Sequence, residues 1–165
     1  MLSTKIETLL NQQIAEENYA SHLYLAMASW CEKQARLGCA KFLFAHAEEE
    51  REHMMKLFHY INAAGGYARA TSLREPPSEF KTVVKMFEQV LKHEQHVTSS
   101  INALVDTCLK DKDYSTFQFL QWYVAEQHEE EHLFQSVLDL VKMAGTDEKG
   151  MFLIDQEIGR RAEKK

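Results

Sequence analysis

Glu50 and His53 are the residues of this sequence whose types and spacing most clearly indicate chemistry. They lie three positions apart, so on a helix both side chains project from one face. The rest of that face is apolar and consists of Leu43, Ala47, Met54, Leu57 and Ile61. A carboxylate and an imidazole are costly to bury there without a partner. One helical turn apart they suit a divalent metal ion, although a Glu-x-x-His pair also arises by chance in charged helices.

Three further predicted helices each have an apolar face that polar residues interrupt in the same way. The interruptions fall at Glu17 in the first helix, at Glu94 in the third, and at Gln127 and Glu130 in the fourth. Each lies within about one turn of the midpoint of its helix, and midpoints stay level in a bundle whichever way neighbouring helices run. We therefore expect all of these side chains to meet at one level of one core.

The four carboxylates among them would repel one another in a dry core by an amount on the order of several kcal/mol. Two divalent cations would balance the four charges. In di-iron carboxylate bundles, all four helices project glutamates into the core, and Glu-x-x-His pairs supply the histidines. Since a single glutamate in a long helix is usually solvated, the metal interpretation depends on the shared level.

Breaks in the apolar periodicity predict five helices that position these residues. They are expected at about residues 4–37, 39–64, 78–110 and 114–144, with a short fifth helix after Thr146. Gly38 marks the first break, Gly65-Gly66 ends the second helix, and Ser78 caps the third. The segment from Gly66 to Ser78, which contains Pro76-Pro77, is long enough to cross the length of a bundle.

Composition limits the possible classes of protein. The 165 residues are 45% hydrophobic with only six glycines and two prolines, which favours a single all-α domain over residues 1–165. The net charge of −6 and the lack of a basic tail argue against nucleic-acid binding. No apolar run suits a membrane span, and residues 1–8 lack a signal-peptide pattern, so we expect a cytoplasmic protein. Three cysteines without C-x-x-C spacing predict free thiols.

Over essentially its full length the chain resembles the bacterial non-haem ferritins. The resemblance is carried by Glu17, Glu50-Arg51-Glu52-His53, Glu94 and Gln127-His128-Glu129-Glu130, and residues 119–131 are similar to that family's fourth helix. It implies a ferritin-like four-helix bundle with a long crossover between the second and third helices. It also implies a hollow shell of 24 subunits, with the short fifth helix at the four-fold axis.

The resemblance implies where iron would bind. Glu17, Glu50 and His53 would hold one iron, and Glu50, Glu94 and Glu130 the second, with Glu50 bridging and Gln127 beside the pair. A third iron site would use Glu49, Glu126, Glu129 and Glu130. Tyr24 matches a tyrosine that can supply an electron, and Trp122 is a second redox-active candidate nearby in sequence.

The implied activity is iron storage with a ferroxidase step. Fe²⁺ would bind in pairs, dioxygen or hydrogen peroxide would oxidise it, and the Fe³⁺ mineral would be stored inside the shell. Haem is not expected, because Arg51 occupies the place of the haem-ligating methionine of bacterioferritins. A rubrerythrin-like peroxidase would need a Cys-x-x-Cys iron module that this sequence lacks, and mini-ferritins place their ligands between subunits.

Two alternatives remain open from the residues themselves: a di-iron oxidase or peroxidase that stores nothing, and a helical interaction protein without metal. The other histidines, including His46, His93 and His96, show no convergence and are interpreted as surface or interface residues. Of these, His93 and His96 are possible transient iron contacts. The apolar residues of the fifth helix are expected to bury against other subunits; they are Met151, Phe152, Ile154 and Ile158.

Overall fold

The chain forms five α-helices in the computed structural model, which describes residues 2–162. The helices are α1 (Thr4–Lys33), α2 (Leu37–Ala63), α3 (Val83–Asp111), α4 (Tyr114–Ala144) and α5 (Glu148–Arg161). No strand occurs within the described residues, which confirms the predicted all-α class. None of the described helices combines the length and apolar character that crossing a membrane requires.

The four long helices form two hairpins, α1 with α2 and α3 with α4. Each hairpin has a short connection, so its helices run antiparallel. The position of Gly66 agrees with this: a Cβ there would lie 3.0 Å from side-chain atoms of both Leu2 and Glu7, so α2 ends beside the start of α1. A long irregular segment then links the hairpins. The predicted bundle with a long crossover is confirmed.

Two predicted boundaries are wrong. α1 ends at Lys33, and the chain turns through residues 34–36, where Ala35 has a φ of 56°. Gly38 is therefore not the break but lies in the first turn of α2. Ser78 does not cap the third helix; instead the hydroxyl of Thr82 accepts a hydrogen bond from the backbone N–H of Lys85 at 3.1 Å, and α3 begins at the next residue.

The carboxylate of Asp155 in α5 caps the amino end of α2. Its two oxygens accept hydrogen bonds from the backbone N–H groups of Gly38 and Cys39, both at 2.9 Å. Arg36, at the N-cap position itself, makes no side-chain cap. Since the first N–H groups of a helix have no partner within the helix, Asp155 satisfies donors that the local sequence leaves open.

Glycine at position 38 is required by this contact. A Cβ there would lie 1.8 Å from the carbonyl oxygen of Asp155, and a Cβ at Gly159 would lie 2.9 Å from the Cα of Gly38. α5 therefore approaches α2 backbone to backbone. The break predicted at Gly38 was misplaced because the residue serves a tertiary contact and not a turn.

The apolar side of α5 is divided between this contact and solvent. Met151 and Ile158 are buried within the same chain, so the expectation that they bury against other subunits is wrong. Phe152 and Leu153 remain 57% and 64% exposed. Arg160 and Arg161 form the last turn of α5, and residues 163–165 lie outside the described part of the chain.

Candidate metal centre

A polar layer divides the core of the bundle into two apolar clusters. On α1, Glu17 lies between the buried apolar residues 6–14 of one cluster and 20–31 of the other. On α2, α3 and α4 the corresponding positions are held by Glu50, His53, Glu94, Gln127 and Glu130. None of these six side chains is more than 3% exposed. The structure therefore brings them to one level of the core.

Glu17, Glu50 and His53 approach one another closely enough to hold one metal ion. Nδ1 of His53 lies 3.4 Å from Oε2 of Glu50 and 3.9 Å from Oε2 of Glu17. One ligand atom from each residue lies within 4.8 Å of the others. α1 supplies one carboxylate, and α2 supplies the Glu-x-x-His pair from a single turn.

A chain of buried hydrogen bonds fixes the carboxylate of Glu17. The side-chain amide of Gln13 donates to Oε1 of Glu17 at 2.8 Å. The hydroxyl of Ser100 in α3 donates to Oε1 of Gln13 at 2.7 Å, which determines which way the amide faces. Oε2 of Glu17 makes no hydrogen bond. Oε2, on the His53 side, is therefore the oxygen available to a cation.

Burial makes these carboxyl groups hold protons more tightly than usual. It raises the pKa of Glu17 well above its usual range and raises the pKa of Glu50 to about 8. Burial likewise raises the pKa of Glu94 well above its usual range. Neighbouring carboxylates contribute less than burial in all three cases, with Glu50 acting on Glu17 and Glu130 acting on the other two. A divalent cation would reverse this by favouring the ionised form.

Glu94 is held differently from Glu17. The hydroxyl of Tyr24 donates a hydrogen bond to Oε1 of Glu94, and Nε2 of Gln127 donates to Oε2 at 3.0 Å. Both carboxyl oxygens are thus hydrogen-bonded inside the protein. Glu94 belongs to none of the metal-compatible groups found among the described residues. The structure brings Gln127 and Tyr24 to Glu94, but Glu94 forms no three-residue group with Glu50 and Glu130 in the described part of the chain.

Glu130 forms a group with one neighbour that was predicted and one that was not. Its carboxylate lies with Glu49 and His46, with one ligand atom of each residue within 4.8 Å of the others. The resemblance implied that Glu130 would share one ion with Glu50 and Glu94, and a third-site ion with Glu49, Glu126 and Glu129. It did not predict His46 as a ligand at all.

A third group consists of Glu49, His53 and Glu126. Nε2 of His53 lies 3.9 Å from Oε1 of Glu126. Glu49 and Glu126 are thus close to each other, as the predicted third site requires. Glu129 is exposed and belongs to none of the groups found in residues 2–162.

Two histidines that were interpreted as surface or interface residues are buried. His46 is 2% exposed and His93 is 8% exposed. Helical spacing could have revealed His46, which lies four residues before Glu50 and three after Leu43 on the apolar stripe. Burial lowers the pKa of His93 to about 4, and its Nε2 makes no hydrogen bond. His96 is on the surface, 3.6 Å from Glu16.

Trp122 borders the polar layer from outside. Its ring meets the imidazole of His53 edge to face, with centroids 5.1 Å apart. The ammonium group of Lys56 lies 3.5 Å above the indole ring. The indole is therefore in direct contact with a candidate ligand, whereas Tyr24 contacts the layer through Glu94.

The donor set of the layer consists of carboxylate oxygens and imidazole nitrogens. This combination suits divalent iron, zinc and manganese better than soft ions that prefer sulfur ligands. The three cysteines are free and buried, and none belongs to the metal-compatible groups of the described chain. The layer is therefore suited to divalent cations that bind oxygen and nitrogen ligands.

Comparisons with known proteins agree with this arrangement. The profile of the ferritin-like domain family matches residues 7–144. A probable bacterial non-heme ferritin-like protein from Haemophilus influenzae is 48% identical over 164 residues, which are 99% of each chain. A bacterial non-heme ferritin from Campylobacter jejuni is 48% identical over 158 residues, covering 96% of this chain and 95% of its relative.

Solved structures are also similar to this chain over nearly its full length. An open-pore ferritin from the hyperthermophilic archaeon Archaeoglobus fulgidus superposes with a TM-score of 0.95 at 36% sequence identity. The match covers 96% of this chain and 98% of the archaeal one. A full-length sequence match, a shared fold and a buried carboxylate–histidine layer agree, and the chain belongs to the ferritin family, with bacterial non-haem ferritins as its relatives.

Proposed function

We propose that this protein is an iron-storage ferritin that oxidises Fe²⁺ within its four-helix bundle and keeps the Fe³⁺ product as mineral. The observation that carries the proposal is the buried group of Glu17, Glu50 and His53. Two carboxylates and an imidazole in a dry core are costly without a cation, and Fe²⁺ is a fitting ion for such ligands.

In the proposed reaction two Fe²⁺ ions bind side by side. Glu17 and His53 hold one ion, Glu94 and Glu130 hold the other, and Glu50 bridges them. Each ion gives up one electron. Dioxygen takes the two electrons and two protons to become hydrogen peroxide, or hydrogen peroxide takes them to become two molecules of water. Gln127 orients Glu94, to which its amide donates.

At the second position, each oxygen of Glu94 accepts one hydrogen bond, from Tyr24 or from Gln127, and keeps a further lone pair for a metal ion. The hydroxyl of Tyr24 therefore lies next to the proposed iron pair, which supports the proposal that Tyr24 supplies an electron. Trp122, in contact with His53, is the alternative donor.

A third iron position is proposed beside the pair, with Glu49, Glu126, Glu129 and Glu130 as ligands. Proximity supports Glu49 and Glu126, which form a group with His53. Glu129 is exposed, so its role would be at the outer edge of such a site. Ions at this position would be the ones passed on toward the mineral.

Storage requires a closed, hollow assembly, for which we propose a shell of 24 copies. Large apolar side chains on the surface support association between copies: Tyr67, Met143, Phe152 and Leu153 are all more than half exposed. A stable monomer in light scattering would contradict this part of the proposal.

The experiment is to add Fe²⁺ to the metal-free protein without oxygen, then admit air and follow near-ultraviolet absorbance. We expect rapid oxidation, and iron that co-elutes with a large particle in gel filtration. Oxidation without retained iron would favour a non-storage di-iron oxidase. Oxidation no faster than in buffer would contradict both.

A further inference from the structure

Two thiols and a thioether meet in the apolar core near the turn that joins α1 to α2. The thiol of Cys31 donates a hydrogen bond to Sδ of Met86, with the two sulfur atoms 3.5 Å apart. The thiol of Cys39 is in hydrogen-bonding contact with that of Cys31. All three residues are fully buried. This sulfur cluster, Cys31, Cys39 and Met86, is therefore assembled from three helices, α1, α2 and α3.

Hydrogen bonds hold the backbone of both cysteines in place. The carbonyl oxygen of Cys31 accepts hydrogen bonds from the backbone N–H groups of Gln34 and Arg36, at 3.1 Å and 2.8 Å, which close the turn. The backbone N–H of Cys39 donates to the carboxylate of Asp155. Both thiols are thus positioned by contacts that do not involve their sulfur atoms, so the cluster exists before any ion binds.

The sulfur cluster suits a soft metal ion. Sulfur ligands about 2.3 Å from one ion lie roughly 4 Å apart, so the sulfur atoms of Cys31 and Met86 need to separate only slightly. Thiolate and thioether sulfurs together select Cu⁺. A structural zinc ion would need four ligands, and no carboxylate or imidazole forms a metal-compatible group with these cysteines in residues 2–162.

The charge balance favours a monovalent ion. Contact with Cys31 and burial together raise the pKa of the Cys39 thiol far above its usual range, so this thiol is neutral when no ion is bound. When Cu⁺ binds, one thiol gives its proton to water as the copper–sulfur bond forms. The product of one cation and one thiolate has no net charge. An apolar core accepts such a neutral complex without the cost of burying an ion.

We propose that Cys31, Cys39 and Met86 form a site for one Cu⁺ ion per subunit, separate from the carboxylate–histidine layer. All three residues belong to a single apolar cluster on one side of that layer. The exposed residues 34 and 35 of the neighbouring turn provide the shortest way in from solvent. The two sites differ in ligand type, since the layer offers oxygen and nitrogen to hard ions and this cluster offers only sulfur.

The test is an anaerobic titration of the reduced, metal-free, full-length assembly with Cu⁺ in competition with bicinchoninate. We expect wild type to retain one Cu⁺ per subunit. Cys31→Ala and Cys39→Ala should lose this ion, and Met86→Leu should bind it more weakly than wild type. The matched control is Cys108→Ala, which removes a buried cysteine of the other apolar cluster and should leave binding unchanged.

Failure of wild type to retain Cu⁺ against the chelator would overturn the inference, as would equal retention by wild type and Cys31→Ala. The titration is repeated with the layer saturated by Co²⁺. Unchanged Cu⁺ binding supports a separate site, whereas displacement of Cu⁺ by Co²⁺ would show that copper occupies the layer and would refute the proposal. Neither titration contains iron, so its failure leaves the proposed function standing.

A second measurement does not depend on how the variants fold. X-ray absorption at the copper edge of Cu⁺-loaded wild type should show only sulfur neighbours, at about 2.3 Å. Nitrogen or oxygen neighbours would contradict the proposal, because the three proposed ligands carry neither atom in their side chains.

Discussion

Tyr24 donates its hydroxyl hydrogen to Oε1 of Glu94, the candidate ligand on α3. The side-chain amide of Gln127 donates a hydrogen bond to the other oxygen of that carboxyl group, whereas Oε2 of Glu17 makes no hydrogen bond. Glu17 therefore offers a cation an oxygen without a competing hydrogen bond, whereas a cation at Glu94 must compete with a donor on each oxygen. We expect cations to bind first on the side of Glu17 and His53.

Removal of Glu50 should affect both iron positions, because Glu50 is the proposed bridge. Glu50→Ala should abolish most of the rapid oxidation in stopped-flow absorbance. Glu17→Ala and Glu94→Ala should each weaken mainly one position in Co²⁺ titrations. The metal-free Glu50→Ala protein should melt near the wild-type temperature, since relief of repulsion offsets a small cavity. Full oxidation rates in Glu50→Ala would refute a dinuclear centre.

Gln13 is expected to act as a positioning residue for Glu17. Gln13→Leu removes the donor to Oε1 of Glu17 and leaves Ser100 without its acceptor. Loss of such outer partners weakens metal binding by about 10–100-fold, which calorimetric Co²⁺ titration would detect. The control is Gln12→Leu, the same change at the exposed neighbouring position. Ser100→Ala should give a smaller effect of the same sign, and equal affinities in all variants would exclude the role.

Glu50 should make the stability of the metal-free protein depend on pH. The ordinary carboxyl value is 4.5, and burial raises the pKa of Glu50 in the folded protein to about 8. Between these values the folded state retains a proton that the unfolded state has lost, so rising pH favours unfolding. Wild type should therefore lose more thermal stability from pH 5 to pH 8 than Glu50→Gln does, with Glu129→Gln as the exposed control. If wild type and Glu50→Gln lost equal thermal stability from pH 5 to pH 8, the raised pKa of Glu50 would be contradicted.

Gly38→Ala should loosen α5. The new Cβ would meet a backbone oxygen of Asp155 at 1.8 Å, so the helix must move away. Overpacking of this kind costs about 1–3 kcal/mol. A lower melting temperature and faster amide hydrogen exchange in α5 would show this loosening. Gly150→Ala is the matched control, because a Cβ there meets only side-chain atoms of Asp147. Unchanged exchange in Gly38→Ala would show that the contact is dispensable.

Glu126 and Glu129 should differ in their effect on iron oxidation, although both were predicted as ligands of the third site. Glu126 lies 3.9 Å from His53, while Glu129 is exposed. We expect Glu126→Ala to change the ratio of oxidant consumed to iron oxidised and Glu129→Ala to change it less. Both variants should keep the iron pair. An oxygen electrode with known additions of Fe²⁺ measures this ratio. A larger change in Glu129→Ala than in Glu126→Ala would show that Glu129 is the more important ligand.

The sequence predicted the architecture well because helical periodicity is local. Apolar stripes broken once per helix were enough to place Glu17 and Glu94 at one level with the pair on α2. The sequence did not predict which carboxylates lie close enough to share a metal ion, since that depends on side-chain rotamers and on hydrogen bonds between helices. The role of Asp155 could not be predicted either, because a cap supplied from another helix leaves no local pattern.

The cap on α2 also has a consequence for how the chain is synthesised. Asp155 lies 116 residues after Cys39, whose backbone N–H donates a hydrogen bond to its carboxylate. While the ribosome is still making α3 and α4, the first hairpin has emerged but the amino end of its second helix has no carboxylate partner. Chains ending before α5 would keep that defect permanently. A helix synthesised long after α2 thus completes the first hairpin, so products truncated before α5 should be recognisable to proteases by the start of α2.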